Sequence, residues 1–159
     1  MALSQAYENE AYLPLGPEKF ISRILPPGLL GIYRISDSWD TTPCLVQKDL
    51  LLNFSFHNDF PIKIFPPLSV SWTGNLSVPS SGPYHFLILT TDWGALKIDG
   101  KLLATANEDK ELFLNRGPHA LEVRFKKEKG VTASLHFLWE TPGQDHFEVV
   151  PYKAFGPSK

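Results

Sequence analysis

What this chain has little of narrows it first. It has one cysteine, Cys44, so no intramolecular disulfide can staple it and no thiolate cluster can hold a metal. Cys44 follows Pro43 and precedes Leu45-Val46. It is expected to be a small buried filler with no neighbouring base to activate it. The missing disulfides lean towards a cytosolic or bacterial origin. No apolar run approaches the roughly 20 residues that cross a bilayer, which predicts a soluble chain without direct membrane insertion. The first ten residues are polar and lack the basic end and apolar run of an export signal. A module cut from a larger exported or anchored protein would start the same way. An excess of one sign of charge is lacking too, with 15 Lys and Arg against 17 Asp and Glu. The formal net charge is -2, so no global field draws nucleic acid or an anionic membrane. The candidate basic cluster, Lys126 to Lys129, is interrupted by Glu128 and reads as an exposed hairpin loop.

Helical periodicity is nearly absent. Tyr7, Ala11 and Tyr12 are spaced for one face of a helix over residues 4–11, but so short a segment gains little by itself. Phe20 to Leu25 is a short apolar run that Pro26-Pro27-Gly28 stops. In place of helix the chain has 14 prolines, 11 glycines and 11 phenylalanines, with the turn formers falling between apolar runs. Those runs alternate with period two, the signature of strands with one face in a core. Leu29 to Ile35 is a strand with Tyr33 as its core aromatic. Leu52, Phe54 and Phe56 alternate with polar residues. In Ser69 to Val78, Val70, Trp72, Leu76 and Val78 share a face, and Gly74 is expected to mark a bulge. Leu121, Val123 and Phe125 form one inward set. Ala133, Leu135, Phe137 and Trp139 form another. A last short run, His146 to Pro151, reads as an edge strand. About ten strands separated by turn signals predict an all-β fold, an antiparallel β-sandwich with little helix.

The rest is organised around Tyr84 to Gly100. Tyr84, Phe86 and Ile88 alternate with His85, Leu87 and Leu89, both phases bulky enough for both faces to be partly buried. A loop, Thr90-Thr91-Asp92-Trp93-Gly94, then sets a carboxylate beside an indole. The strand resumes from Ala95 to Ile98, and Asp99-Gly100 is a two-residue hairpin signal. Asp92 and Trp93, a carboxylate and an indole delivered to a loop tip by a core-like strand, are therefore the leading candidate ligand-binding pair. Trp39, in the polar loop Ser36 to Pro43, and Asn107, in the loop Thr105 to Asp109, are candidate second walls. Trp39 has an equal alternative, folding back over the core; Trp93 and Asp92 have theirs, capping the sandwich end and bonding the loop backbone.

Other chemistry is thinly supported. His85, His119 and His136 fall on the outward phase of their strands and would make a three-histidine metal site only if those strands adjoin. Cross-strand hydrogen bonding is the preferred reading. No serine, histidine and acid set stands out for nucleophilic catalysis, nothing brings a second carboxylate near Asp92 for glycoside hydrolysis, and no phosphate-cradling loop is present. Asn53-Phe54-Ser55 and Asn75-Leu76-Ser77 fit the glycosylation acceptor triplet, which matters only in a eukaryotic secretory protein.

The order of the segments resembles the domain family named for the amino-terminal fourteen-kilodalton region of anthrax protective antigen. The likeness is carried by Gly28-Leu29-Leu30-Gly31-Ile32-Tyr33, by Val70-Ser71-Trp72-Thr73-Gly74-Asn75-Leu76, and by Gly82-Pro83-Tyr84-His85-Phe86. It continues through Asp92 to Lys101 and Gly117 to Val123, and closes on Trp139 and Pro142-Gly143. It covers about residues 28–155, leaving 1–27 as an extension packed on or preceding the sandwich. The resemblance implies a β-sandwich module of the kind found in glycosidases, glycosyltransferases, adhesins and toxins. Its adhesin-like branch holds calcium with two consecutive aspartates. Here the pair is Thr91-Asp92, and the second calcium loop corresponds to Lys126 to Gly130, rich in cations where calcium needs oxygens. Calcium is therefore disfavoured and no cofactor is expected. The implied function is a noncatalytic carbohydrate-binding module, extracellular or periplasmic-facing as part of a larger glycan-processing protein. The alternatives are a structural or protein-interaction module and, last, a glycan-active enzyme.

Overall fold

The computed structural model describes residues 27–55, 66–130 and 133–157. The expected helical turn at 4–11, the run from Phe20 to Leu25, Phe56 and nearly all of the extension 1–27 lie outside these residues. Among the described residues alternation becomes twelve strands: β1 Leu29–Arg34, β2 Leu45–Asp49, β3 Asn53–Ser55, β4 Leu68–Val78, β5 Gly82–Thr90, β6 Trp93–Ile98, β7 Lys101–Thr105, β8 Lys110–Leu114, β9 Gly117–Lys127, β10 Ser134–Glu140, β11 Glu148–Val149 and β12 Phe155–Gly156. The helical content among the described residues is one 3-10 turn, Tyr152–Ala154.

These strands form two antiparallel sheets. The larger runs β2-β1-β4-β9-β6-β7, with β12 continuing the β1 edge on β4. The smaller runs β11-β10-β5-β8, with β3 on the β11 edge of β10. The spine of the larger sheet is β4 against β9, paired without interruption from Leu68 opposite Lys127 to Val78 opposite Gly117.

Side chains of one phase from each sheet meet in the middle. Trp72, Phe86, Ile88, Phe125 and Phe137 are completely buried, and Ile98 is 3% exposed. Each such side chain contributes roughly 1.5–3 kcal/mol by leaving water, which makes this layer the main source of stability. The aromatic members stack across β5 and β10: the Phe86 and Phe137 ring centroids are 6.1 Å apart, and Tyr84 and Trp139 5.5 Å apart. On the opposite phase of β5, Leu87 is half-buried and Leu89 is exposed.

Several expectations need correction. Cys44 is exposed and is not a core filler. Its backbone N–H bonds the Tyr33 carbonyl, which extends the ladder to the outer edge of the larger sheet. Gly74 marks no bulge: it stands in register opposite Leu121, and the irregularity falls between Leu96 and Lys97. A Cβ at Gly74 would lie 2.5 Å from the Gly156 carbonyl oxygen and 2.7 Å from Leu29 Cδ2, so close packing explains that glycine. The final run yields only the two-residue β11. The Asp99-Gly100 signal does close a two-residue hairpin, with φ of 53° and 82°, as a turn with two left-handed central residues requires.

β5 and β6, two residues apart, belong to different sheets. Thr91-Asp92 is thus a corner that carries the chain across the sandwich.

Candidate functional site at the β5–β6 corner

The corner is braced before it presents anything. Asn107 donates through Nδ2 to the Thr90 carbonyl at 3.0 Å, accepts from the Thr90 N–H at 3.1 Å, and donates its own N–H to the Ile88 carbonyl at 2.7 Å. Thr90 Oγ1 donates to the Ser134 carbonyl and accepts from the Asp92 N–H. Asn107 is therefore a latch on the end of β5. It is not the cleft wall that its loop position suggested.

Beyond the corner, phase decides direction. Gly94, Leu96 and Ile98 point inward, and a Cβ on Gly94 would sit 3.0 Å from Ile88 Cγ2. Trp93, Ala95 and Lys97 point outward. Trp93 stands opposite Lys126, and Ala95 opposite Arg124. The Trp93 indole is 45% exposed.

Trp39 arrives from the loop after β1. That loop is tied down by Ser69 Oγ donating to the Ser36 carbonyl at 2.6 Å and by Arg34 Nε donating to the Thr41 carbonyl at 2.7 Å. Trp39 does fold back, yet onto the outer face of the larger sheet and not over the core. Its ring centroid is 6.4 Å from that of Trp93, with the planes inclined by 51°. Arg124 Cζ stands 4.5 Å from the Trp39 centroid, and Lys126 Nζ 5.1 Å from Trp39 and 5.9 Å from Trp93. Each cation over an indole face adds about 0.5–1 kcal/mol at an exposed site, enough to order the cluster without burying it.

An open cleft of about 630 Å³ adjoins Trp93, lined by Asp92, Trp93, Lys126, Glu128 and Lys129. Trp39 flanks it through Trp93. The Asp92 carboxylate is held by Lys127, whose ammonium donates to both of its oxygens at 3.2 and 3.3 Å. Lys127 is 6% exposed. The expectation of an exposed hairpin loop from Lys126 to Lys129 is therefore corrected. Residues 126 and 127 are strand, and Lys127 falls on the same phase as Leu121, Val123 and Phe125. Its aliphatic stem is buried with theirs, and its ammonium reaches the corner carboxylate. Any cation binding at Asp92 must compete with this one.

Sequence reasoning paired Asp92 with Trp93 and proposed Trp39, and those meet. It did not assign Lys126, Glu128 and Lys129 to the cleft. The signal available was the register in which β9 lies beside β6, which alternation alone does not reveal.

The histidines do not converge. His119 is on the larger sheet, whereas His85 and His136 are on the smaller one. Among the described residues no group of three or more histidine, cysteine, aspartate or glutamate side chains could hold a metal ion. His136 Nδ1 instead meets Asn53 Oδ1 across β3 and β10. His85 is raised above the ordinary imidazole value chiefly by its hydrogen bond to Asp109. His119 is raised as well: partial burial opposes the charge, but its Nε2 donates to the Asn115 carbonyl at 2.7 Å and its Nδ1 to Asp99 at 2.8 Å. Two acceptors call for two N–H groups, which only the cation has.

Among the described residues no helix is long and apolar enough to cross a membrane. No family model matches the chain, and no curated protein does. Solved structures do. An anti-sigma factor domain-containing protein superposes with a TM-score of 0.73 at 24% identity over 84% of this chain and 48% of the other. The chain thus spans about half the length of that structure. A PA14 sugar-binding domain from an RTX adhesin gives 0.65 at 16% identity over 85% of this chain and 100% of the other. The A domain of epithelial adhesin 9 from Candida glabrata, in complex with Galb1-3GlcNAc, gives 0.66 at 11% identity over 84% and 89%. At these identities the likeness shows the all-β sandwich.

Proposed function

We propose that this domain is a noncatalytic carbohydrate-binding module that acts through the Trp39–Trp93 face and the cleft beside Asp92. The observation that carries the reading is the pair of indoles 6.4 Å apart, set next to an open cleft on a rigid sheet. Indoles present flat apolar surface to sugar C–H groups at little entropic cost, and a few fixed polar groups then orient the hydroxyls. The sugar-binding and adhesin neighbours support the same reading and favour an extracellular module of a larger protein, glycan-processing or adhesive. Catalysis is not part of the proposal: of the two carboxylates lining the cleft, Asp92 is engaged by Lys127.

A shallow aromatic site of this kind should bind with a Kd on the order of 0.1 to 1 mM. A glycan array probed with multimerised protein, followed by titration of the hits, tests it. Wild type is expected to bind, and Trp93→Ala to lose binding while keeping its denaturation midpoint, since the indole is half in water. Equal binding by Trp93→Ala, or an array without hits, would end this reading.

A second reading, a protein-interaction module, draws on another surface. Leu102 and Phe113 are 59% and 63% exposed and line a cleft of about 390 Å³ where β7 and β8 face each other. Loss of a protein partner on Phe113→Ser with sugar binding absent would favour it.

A further inference from the structure

Within the sugar-binding reading, on which this inference rests, we propose that the site is built for an acidic sugar, one bearing a carboxylate or a sulfate ester. Several charges on this surface already have partners. Asp92 is paired with Lys127 from the core side, and Glu122 accepts from Arg124 Nε at 2.8 Å. Among the described residues, no carboxylate lies within ion-pairing distance of Lys126 or Lys129, both of which line the cleft. Around the cleft stand Lys126, Lys127 and Lys129 against Asp92 and Glu128, while Asp37 and Asp40 ride on the loop that carries Trp39. With Asp92 paired to Lys127, the cleft lining itself is left with two lysines, Lys126 and Lys129, against one carboxylate, Glu128.

Geometry makes the excess usable. Lys126 is the direct cross-strand neighbour of Trp93 and holds its ammonium near the faces of both indoles, 5.1 Å from the Trp39 centroid and 5.9 Å from the Trp93 centroid. A pyranose stacked on Trp93 brings its rim substituents beside that ammonium. A neutral ring offers it only hydroxyls. A ring carrying a carboxylate or sulfate offers a charge-assisted hydrogen bond, shorter and about twice as strong as a neutral one. Lys129, which also lines the cleft, can take a second anionic oxygen. Asp92 would repel such a ligand if it were unpaired, and Lys127 removes that objection. Lys127 thereby fixes the sign of the site as well as the shape of the corner.

The test uses the full chain and paired probes that differ only in charge: sialyllactose against lactose, and a hyaluronan hexasaccharide against its carboxyl-reduced form. Polyacrylate and a DNA oligonucleotide serve as polyanion controls. At least one acidic member is expected to bind about tenfold more tightly than its neutral partner, one charge-assisted contact being worth roughly that factor. Lys126→Gln should weaken the acidic member more than the neutral one and so bring their affinity ratio close to one. Trp93→Ala should abolish both. Raising salt should weaken the acidic member alone. Among the described residues Lys126 has no ion-pair partner and faces outward, so its variant loses only the contacts with the two indoles and should stay folded, melting slightly below wild type.

Equal binding of both members of every pair overturns the charge inference while leaving the sugar-binding reading standing. Equal binding of the polyanion controls, or acidic binding that survives Trp93→Ala, overturns it in favour of a general anionic surface. Silence from all probes overturns it together with the reading beneath it.

Discussion

Asp49 is 6% exposed and is held by three neutral donors: Tyr33 Oη, Trp72 Nε1 at 2.8 Å and Gln47 Nε2 at 2.7 Å. Burial and the adjacent carboxylate push the Tyr33 hydroxyl far above its ordinary pKa, so it stays a donor. Removing the acceptor leaves an indole N–H and a phenol buried without their partner, each costing about 1–3 kcal/mol. We expect Asp49→Ala to lose about 2–4 kcal/mol in urea titration, and a loss under about 1 kcal/mol would show that the network is not a major support. The space is equally tight. A Cβ at Gly31 would lie 2.5 Å from Asp49 Oδ2 and 3.0 Å from Trp72 Nε1. Tyr33 and Trp72 were legible in the sequence as core aromatics because they obey the alternation. Asp49 was not, because a carboxylate ending an edge strand reads as a solvated one, and the partners that fix it lie 16 and 23 residues away.

At the scale of the element, β9 carries its inward phase one residue further than its apolar residues do. Lys127 extends the buried series and ends on Asp92. Breaking such a pair strands a charge away from water, at about 3–5 kcal/mol. Asp92→Ala, which leaves the buried Lys127 unpaired, should approach that cost, and Lys127→Met should cost less because the Asp92 side chain keeps 18% of its surface in water. The double variant should recover much of it, and a double-mutant cycle reads the coupling directly. Additive losses would mean that the two groups act independently. This also explains why Asp92→Ala is a poor probe of ligand binding: it disturbs the corner first. Strands were legible from period two, but their allotment to sheets was not. A two-residue link between β5 and β6 looks like a hairpin turn, and only the bracing of Thr90 by Asn107 and Ser134 shows that the chain turns a corner there. The same limitation hid Lys126 from the site, since its neighbour Trp93 lies on another strand.

For the molecule as a whole, the described part is a single sandwich whose class was readable from turn spacing and alternation alone. Its response to pH should follow the raised histidines. A group whose pKa is higher in the folded state adds stability below the unfolded value, and that stability fades as pH rises through the folded value. His119 joins β9 to the β6–β7 turn and to Asn115. Stability should therefore be fully supported below about pH 6.5, the ordinary imidazole value, and decline as pH rises through its raised value. Replacing His119 with Gln should flatten that part of the profile. Urea midpoints collected between pH 5 and 9 for both proteins make the comparison, and a wild-type profile that rises over this interval would contradict the assignment.

Parity along β9 divides the strand between two kinds of change. Residues 121, 123, 125 and 127 face the interior, where a substitution is felt as lost stability. Residues 122, 124 and 126 face outward, the last two beside the indoles. Drift at the second set leaves folding nearly untouched and alters only what the surface meets. A lineage carrying this strand can exchange one ligand for another in single steps, each intermediate still folded. The same arrangement suits directed evolution: a library confined to 124, 126 and the flanking Trp39 loop would sample new specificities with few members lost to misfolding.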